Sequence, residues 1–225
     1  MDLIPKTFNG RMIVLMSGLL IIVIVIGAGL VLSMKTSVQL QDYGPTANFS
    51  LVDQNNEFIT LDNFSGKVLV IDFIYSHCHD VCPLETSKMN NLLAKILDSG
   101  YSSSEFHFIT ISFDWKFDNA STLKNYALDR AEGQFDYWSF LSGTQTQIQN
   151  VTSQYGVYAD YVNTTVNNTT VPIMTTQPGD HNMVDYMVHN QVVTIVDKQG
   201  IRRSVYNGPD WLISDMYSKL KLLLK

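Results

Sequence analysis

The chain holds two cysteines, Cys78 and Cys82, four positions apart in the stretch VLVIDFIYSHCHDVCPLETSKMNNLLAKILD from Val68 to Asp98. A thiolate is both the nucleophile of disulfide exchange and the ligand that soft metals prefer. A close pair can therefore form a bridge, exchange one, or close on a single ion, and the spacing alone does not choose. A purely structural disulfide is the weakest of these readings, because a bridge over so few residues closes a very small loop and constrains the unfolded chain little. Imidazoles are the other candidate donors. His77 and His79 flank the first thiol and read as solvated or tuning groups before ligands. His181 lies near Met174, Met183 and Met187, donors that suit a soft metal, although loop composition accounts for them first. His107 falls inside a strand pattern and reads as structural.

The elements that must hold these groups are legible from period. Val68 to Tyr75 is a run of branched and aromatic residues, the composition of a strand buried on both faces. After Cys82 the apolar residues Leu84, Met89, Leu92, Leu93, Ile96 and Leu97 recur at helical spacing, Pro83 suits a first turn and Gly100 a stop. The cysteines thus sit where a strand hands over to a helix, whose free N–H groups and positive dipole end favour thiolate over thiol. If both were helical they would share a face, with Cβ atoms roughly 5 to 6 Å apart.

Met12 to Leu32 is a run of 21 residues without a charge, long enough to cross a bilayer as a helix. Lys6 and Arg11 precede it, which predicts a cytoplasmic N-terminus over residues 1–11, a single-pass anchor over 12–32 in the cytoplasmic membrane, and a domain on the extracytoplasmic side. The run is longer than a signal-peptide core and lacks a small-x-small cleavage site, which favours an anchor that is kept. Setting aside Lys6, Arg11 and Lys35 from the 15 basic residues and Asp2 from the 21 acidic ones leaves the remainder at about −8, a sign that disfavours nucleic acid. Seven Asn-x-Ser/Thr sequons, at Asn48, Asn63, Asn119, Asn150, Asn163, Asn167 and Asn168, are compatible with an exported surface.

Residues 33–47 read as a linker ending at Gly44 and Pro45, and Asn48 to Leu61 as a hairpin around Asn55 and Asn56. Phe106 to Phe113 reads as a second inner strand with Asp114 just past its end, where it can sit near the site or close a turn. Ser121 to Ala131 reads as a helix, Tyr137 to Ser142 as a strand, and Thr144 to Tyr155 as a helix. Residues 160–183, rich in Thr and Asn, read as an excursion that can cover the site. Gln191 to Val196 and Ile201 to Tyr206 form a closing hairpin across Asp197–Gly200, and Pro209 opens a last helix. The order is that of an α/β, thioredoxin-like fold with an N-terminal hairpin over residues 48–225, preceded by a single transmembrane helix. Sites in such sheets gather at the C-terminal ends of parallel strands. Cys78 and Cys82 occupy one such end, and the segment that carries His189 enters the sheet beside them.

These residues resemble the SCO/SenC proteins, membrane-anchored thioredoxin-like domains linked to copper delivery to cytochrome c oxidase. The resemblance covers roughly residues 45–225, and its carriers are CHDVCP, the ITISFD segment ending at Asp114, and DYMVHNQVVTIVDKQG. It implies that Cys78, Cys82 and His189 bind one copper ion, Cu(I) or Cu(II). Two positions depart from the family pattern: His79 stands where Pro usually follows the first cysteine, and Val188 where Asp often precedes the histidine. The second change removes an orienting carboxylate, for which Asp185 or Asp80 is a candidate substitute.

Two thiolates and an imidazole make a soft set suited to Cu(I), and zinc would accept the same donors with a fourth ligand. The first expectation is a metallochaperone that passes copper to an oxidase subunit with a CuA-type site outside the membrane. The alternative is an enzyme, a thiol-disulfide oxidoreductase in which Cys78 attacks and Cys82 resolves, keeping the cysteines of a copper-protein partner reduced. A peroxidase is weaker, because Tyr75 stands where the Thr of a peroxidatic Thr-x-x-Cys motif would be.

Overall fold

The computed structural model describes residues 18–24, 40–161, 163–166, 169–172 and 187–225. The chain divides into two compact units, Met1–Gln39 and Leu40–Lys225. In the first, the described residues 18–24 are helical and the side chains of Leu19 to Ile24 are exposed. The expected span 12–32 otherwise lies outside the described residues, among which no helix is long and apolar enough to cross a membrane.

The second unit is built on a seven-stranded sheet. Its strands are β1 (Ser50–Asp53), β2 (Phe58–Thr60), β3 (Val68–Ile74), β4 (Phe106–Ser112), β5 (Trp138–Ser142), β10 (Val192–Val196) and β11 (Arg202–Asn207), in the spatial order β11-β10-β3-β4-β5-β1-β2. The ladders β3/β4 and β4/β5 are parallel, and the others are antiparallel. Two small ribbons stand apart: β6 (Ala159–Tyr161) with β9 (Met187–His189), and β7 (Asn163–Val166) with β8 (Thr169–Pro172). Among the described residues, the α-helices of this unit are α1 (Val81–Leu97), α2 (Ala120–Arg130), α3 (Gln145–Tyr155) and α4 (Ile213–Leu223). The mixed α/β architecture and the N-terminal hairpin agree with the sequence reading.

All residues of β3, β4 and β5 are buried, the expected condition of parallel strands covered on both faces. The sheet face is packed with large rings. Phe73, Phe106, Phe108, Phe113, Trp138 and Phe140 are fully buried, and Trp138 stacks on Phe140 at 5.0 Å between centroids. His107 is part of this packing, stacked on Phe64 and sharing a 2.8 Å hydrogen bond with Ser139. Its burial pushes the imidazole down to about 3, which fits the structural role read from its strand position. The helix α3 begins at a capping box, with Thr144 bonding the N–H of Gln147 and Gln147 reaching back to Thr144.

One boundary differs from the sequence reading. Pro209 does not open the last helix, which starts at Ile213 after the N-cap Leu212. The reason is packing: Lys88 Nζ donates to the carbonyls of Pro209 and Trp211, and Trp211 Nε1 donates to Glu85 Oε1 at 2.8 Å. These bonds tie residues 209–211 along α1 and leave their backbone outside α4.

Phe108 lies on the central strand with no exposed surface. Phe108→Ala should therefore cost about 3 to 5 kcal/mol. At roughly 2 to 4 °C per kcal/mol for a domain of this size, that lowers the melting temperature by about 10 °C, which thermal circular dichroism would read.

Candidate functional site

The parallel ladder brings the ends of β3 and β4 level, pairing Ile74 with Ser112. The chain leaving β3 turns through Tyr75, Ser76 and His77 to Cys78, whose N–H donates to the Tyr75 carbonyl at 3.2 Å. Cys82 lies in the first turn of α1, whereas Cys78 lies three residues before it. The two cysteines therefore do not share a helix face, as a fully helical spacing would require. Instead the free N–H of Cys82 donates to Cys78 Sγ at 3.2 Å, so the sulfur occupies the place of a capping acceptor at the helix start. Both cysteines are free thiols, 5 % and 1 % exposed.

This geometry separates the two sulfurs chemically. The thiol of Cys82 and its backbone N–H, with the His189 ring, hold the Cys78 thiol down to about 4 against the opposing effect of burial. Donation to Cys78 and burial push the Cys82 thiol up. At neutral pH the pair carries one negative charge, on Cys78.

His189 reaches the same place by a different route. It ends β9, which pairs with β6 in the register Ala159 to His189, and it precedes β10 by three residues. Its ring packs on Phe113 at 4.8 Å and edge-on against Tyr75 at 5.5 Å. Nδ1 lies 3.1 Å from the Asn190 carbonyl oxygen. A carbonyl can only accept, so Nδ1 donates in this bond. This backbone carbonyl and the two rings supply the orientation that the Val188 substitution removes. Asp80, the exposed N-cap of α1, makes no side-chain capping bond, and Asp185 lies outside the described residues. The Sγ atoms of Cys78 and Cys82 and a ring nitrogen of His189 all fall within 4.8 Å of one another, so the donor set fits a soft ion with small adjustments.

The other candidates divide. His79 is exposed and His77 half-buried beside the thiolate turn. Met187 is buried on β9, while Met174, His181 and Met183 lie outside the described residues. Asp114 is buried in the turn after β4. Its Oδ1 accepts from the N–H groups of Lys116 and Phe117 at 3.1 Å and from Tyr161 Oη at 2.6 Å, so it both closes the turn and stands near the site. The sequence reading missed three buried acids. Asp118 binds Ser76 and Ser112. Asp72 on β3 and Glu85 on α1 are raised to about 8 and about 7, chiefly by burial. Asp72 accepts from Thr110 at 2.5 Å. An acid inside an otherwise apolar strand was the available signal for Asp72.

Comparison with known proteins follows the same outline. A family model described as SCO1/SenC matches residues 39–225. Among curated relatives, the SCO2-like protein RP587 of Rickettsia prowazekii is 28 % identical over 68 % of this chain and 64 % of its own length. The chain thus spans a little under two thirds of that relative. Among solved structures, Bradyrhizobium japonicum ScoI with copper bound superposes with a TM-score of 0.61 at 27 % identity, covering 80 % of this chain and 99 % of that one. BsSco, described as carrying a disulfide switch and as a member of the Sco family of cytochrome c oxidase assembly proteins, gives 0.60 at 23 % identity over 82 % and 95 %.

The asymmetry of the thiols gives a pH signature. With both cysteines reduced, iodoacetamide should modify Cys78 before Cys82. Because the Cys78 thiolate persists down to about 4, its rate should stay flat from neutral pH to about pH 5 and fall only below that. A rate that instead climbs through the ordinary thiol range, read by peptide mass spectrometry, would show no such asymmetry.

Proposed function

The chain belongs to the SCO1/SenC family, and from that premise we propose that Cys78, Cys82 and His189 carry one copper ion, as Cu(I) or Cu(II), for transfer to a copper-receiving protein such as a cytochrome c oxidase subunit with a CuA-type site. The observation that carries this reading is the convergence of two sulfurs and one imidazole nitrogen within 4.8 Å of one another beyond the C-terminal end of β3. Two thiolates and an imidazole are a soft set. Three protein donors hold an ion while leaving room for a partner's ligand to enter, which is what stepwise transfer requires. Binding replaces the Cys82 proton, so one proton leaves for each ion taken up. Oxidation of the pair to a disulfide removes both sulfur ligands and ends binding.

The chain's own residues prepare the site. Cys78 is held as thiolate by the Cys82 side chain and the start of α1, and the Asn190 carbonyl holds the His189 ring in place. The apolar run 12–32 supports a single-pass anchor in the cytoplasmic membrane, with the domain on its extracytoplasmic side.

A second reading has an observation of its own. One thiolate beside one protonated thiol is the arrangement of a thiol-disulfide oxidoreductase, with Cys78 attacking and Cys82 resolving. His189 separates the two. The full-length reduced protein in detergent should bind one Cu(I) against a competing chelator, and His189→Ala should weaken that binding by about tenfold or more. Equal and weak binding in both proteins, with disulfide exchange on a model substrate intact, would leave the oxidoreductase reading instead.

A further inference from the structure

A second set of donor atoms converges beside the Cys78 turn. His77, Asp114 and Asp118 bring one ring nitrogen and one oxygen from each carboxylate within 4.8 Å of one another. None of the three belongs to the sulfur site. Asp114 has no exposed surface and Asp118 is 3 % exposed, while His77 is half-buried and so gives the cluster an edge toward solvent. Carboxylates this deep are rarely ionised without a cation nearby. Among the described residues no lysine or arginine forms an ion pair with Asp118.

Neutral donors hold both acids in place. Asp118 Oδ2 accepts from Ser76 N at 2.8 Å and Ser112 Oγ at 2.5 Å, and its Oδ1 accepts from Ser76 Oγ. Each carboxylate oxygen offers two acceptor positions, so these three bonds leave one on Asp118. Three of the bonds to Asp114 fall on its Oδ1, from Lys116 N, Phe117 N and Tyr161 Oη. Ser76 links the group: its hydroxyl meets both Asp118 and, at 3.1 Å, Nδ1 of His77. Ligands oriented by an outer layer of hydrogen bonds are the usual condition of a metal site.

We propose that His77, Asp114 and Asp118 form a second metal site, for a divalent first-row cation. One imidazole and two carboxylates are hard to borderline donors. The set therefore discriminates against Cu(I), which the neighbouring sulfurs prefer, and accepts ions that thiolates do not need to hold. The sites are independent in ligands but share a turn, because Ser76 and His77 lead directly into Cys78. A cation here fixes the segment that carries the thiolate.

Mn2+ is the probe, since carboxylate and imidazole suit it and thiolate does not. The full-length protein in detergent, titrated with Mn2+ to millimolar concentration, should remove one ion per chain from the free-ion paramagnetic resonance signal. His77→Ala and Asp118→Asn should each weaken this by about tenfold or more. Asp118 also anchors Ser76 and Ser112, so its variant can lose the fold; His77→Ala, checked by circular dichroism, then decides. No Mn2+ uptake by the wild type, or uptake undiminished in a folded His77→Ala protein, overturns the proposal. Cu(I) affinity measured on the same samples keeps the two sites apart: loss of Cu(I) binding with Mn2+ uptake intact counts against the copper reading alone.

Discussion

The parallel ladder from Val68 opposite Phe106 to Ile74 opposite Ser112 fixes the level at which two loops leave the sheet, and the chemistry of the molecule depends on it. One loop delivers Ser76, His77 and Cys78, and the other delivers Asp114 and Asp118. A slip of one residue would turn each side chain to the opposite face. Burial of both strands on both faces makes such a slip costly, because it would drive Asp72 and Thr110 away from the contact they make with each other. The reactive turn is therefore held by the core rather than by its own loop.

On that frame the start of α1 does the electrostatic work. A sulfur placed outside the helix but within reach of its free N–H is charged at neutral pH, while the sulfur inside the first turn keeps its proton. The buried acid Asp72 lies near enough to act on Cys82, and Glu85 near enough to act on Asp72. Both are held mostly neutral or near their midpoint at physiological pH by burial, which limits the negative charge packed beneath the thiolate. His189 closes the site from a separate ribbon, so the sulfurs and the imidazole come from elements with different contacts to the core.

Much of this was legible in the sequence. Strand period and composition located β3, β4, β5 and the closing hairpin to within a residue or two, because parallel inner strands must be apolar throughout. Cys78, Cys82 and His189 stood out by chemistry and by resemblance, although nothing in the spacing told that Cys78 lies outside the helix. What remained hidden depends on long-range packing. β9 pairs with β6, and strands of three residues carry no period to read. Asp118, in DWKFDNAS, looks like a polar turn residue until Ser76 of the other loop and Ser112 at the end of β4 close on it. Residues 209–211 gave a helical apolar spacing, and only the bonds from Lys88 and to Glu85 show why they run outside the helix.

The central claim is that one copper ion takes two sulfurs and one imidazole from this turn and ribbon. Copper-edge X-ray absorption on the fully reduced, full-length protein loaded with one Cu(I) tests it most directly. The account predicts two sulfur scatterers and one imidazole nitrogen in the first shell of each copper. A shell of nitrogen and oxygen alone, or of sulfur with no imidazole contribution, would contradict it.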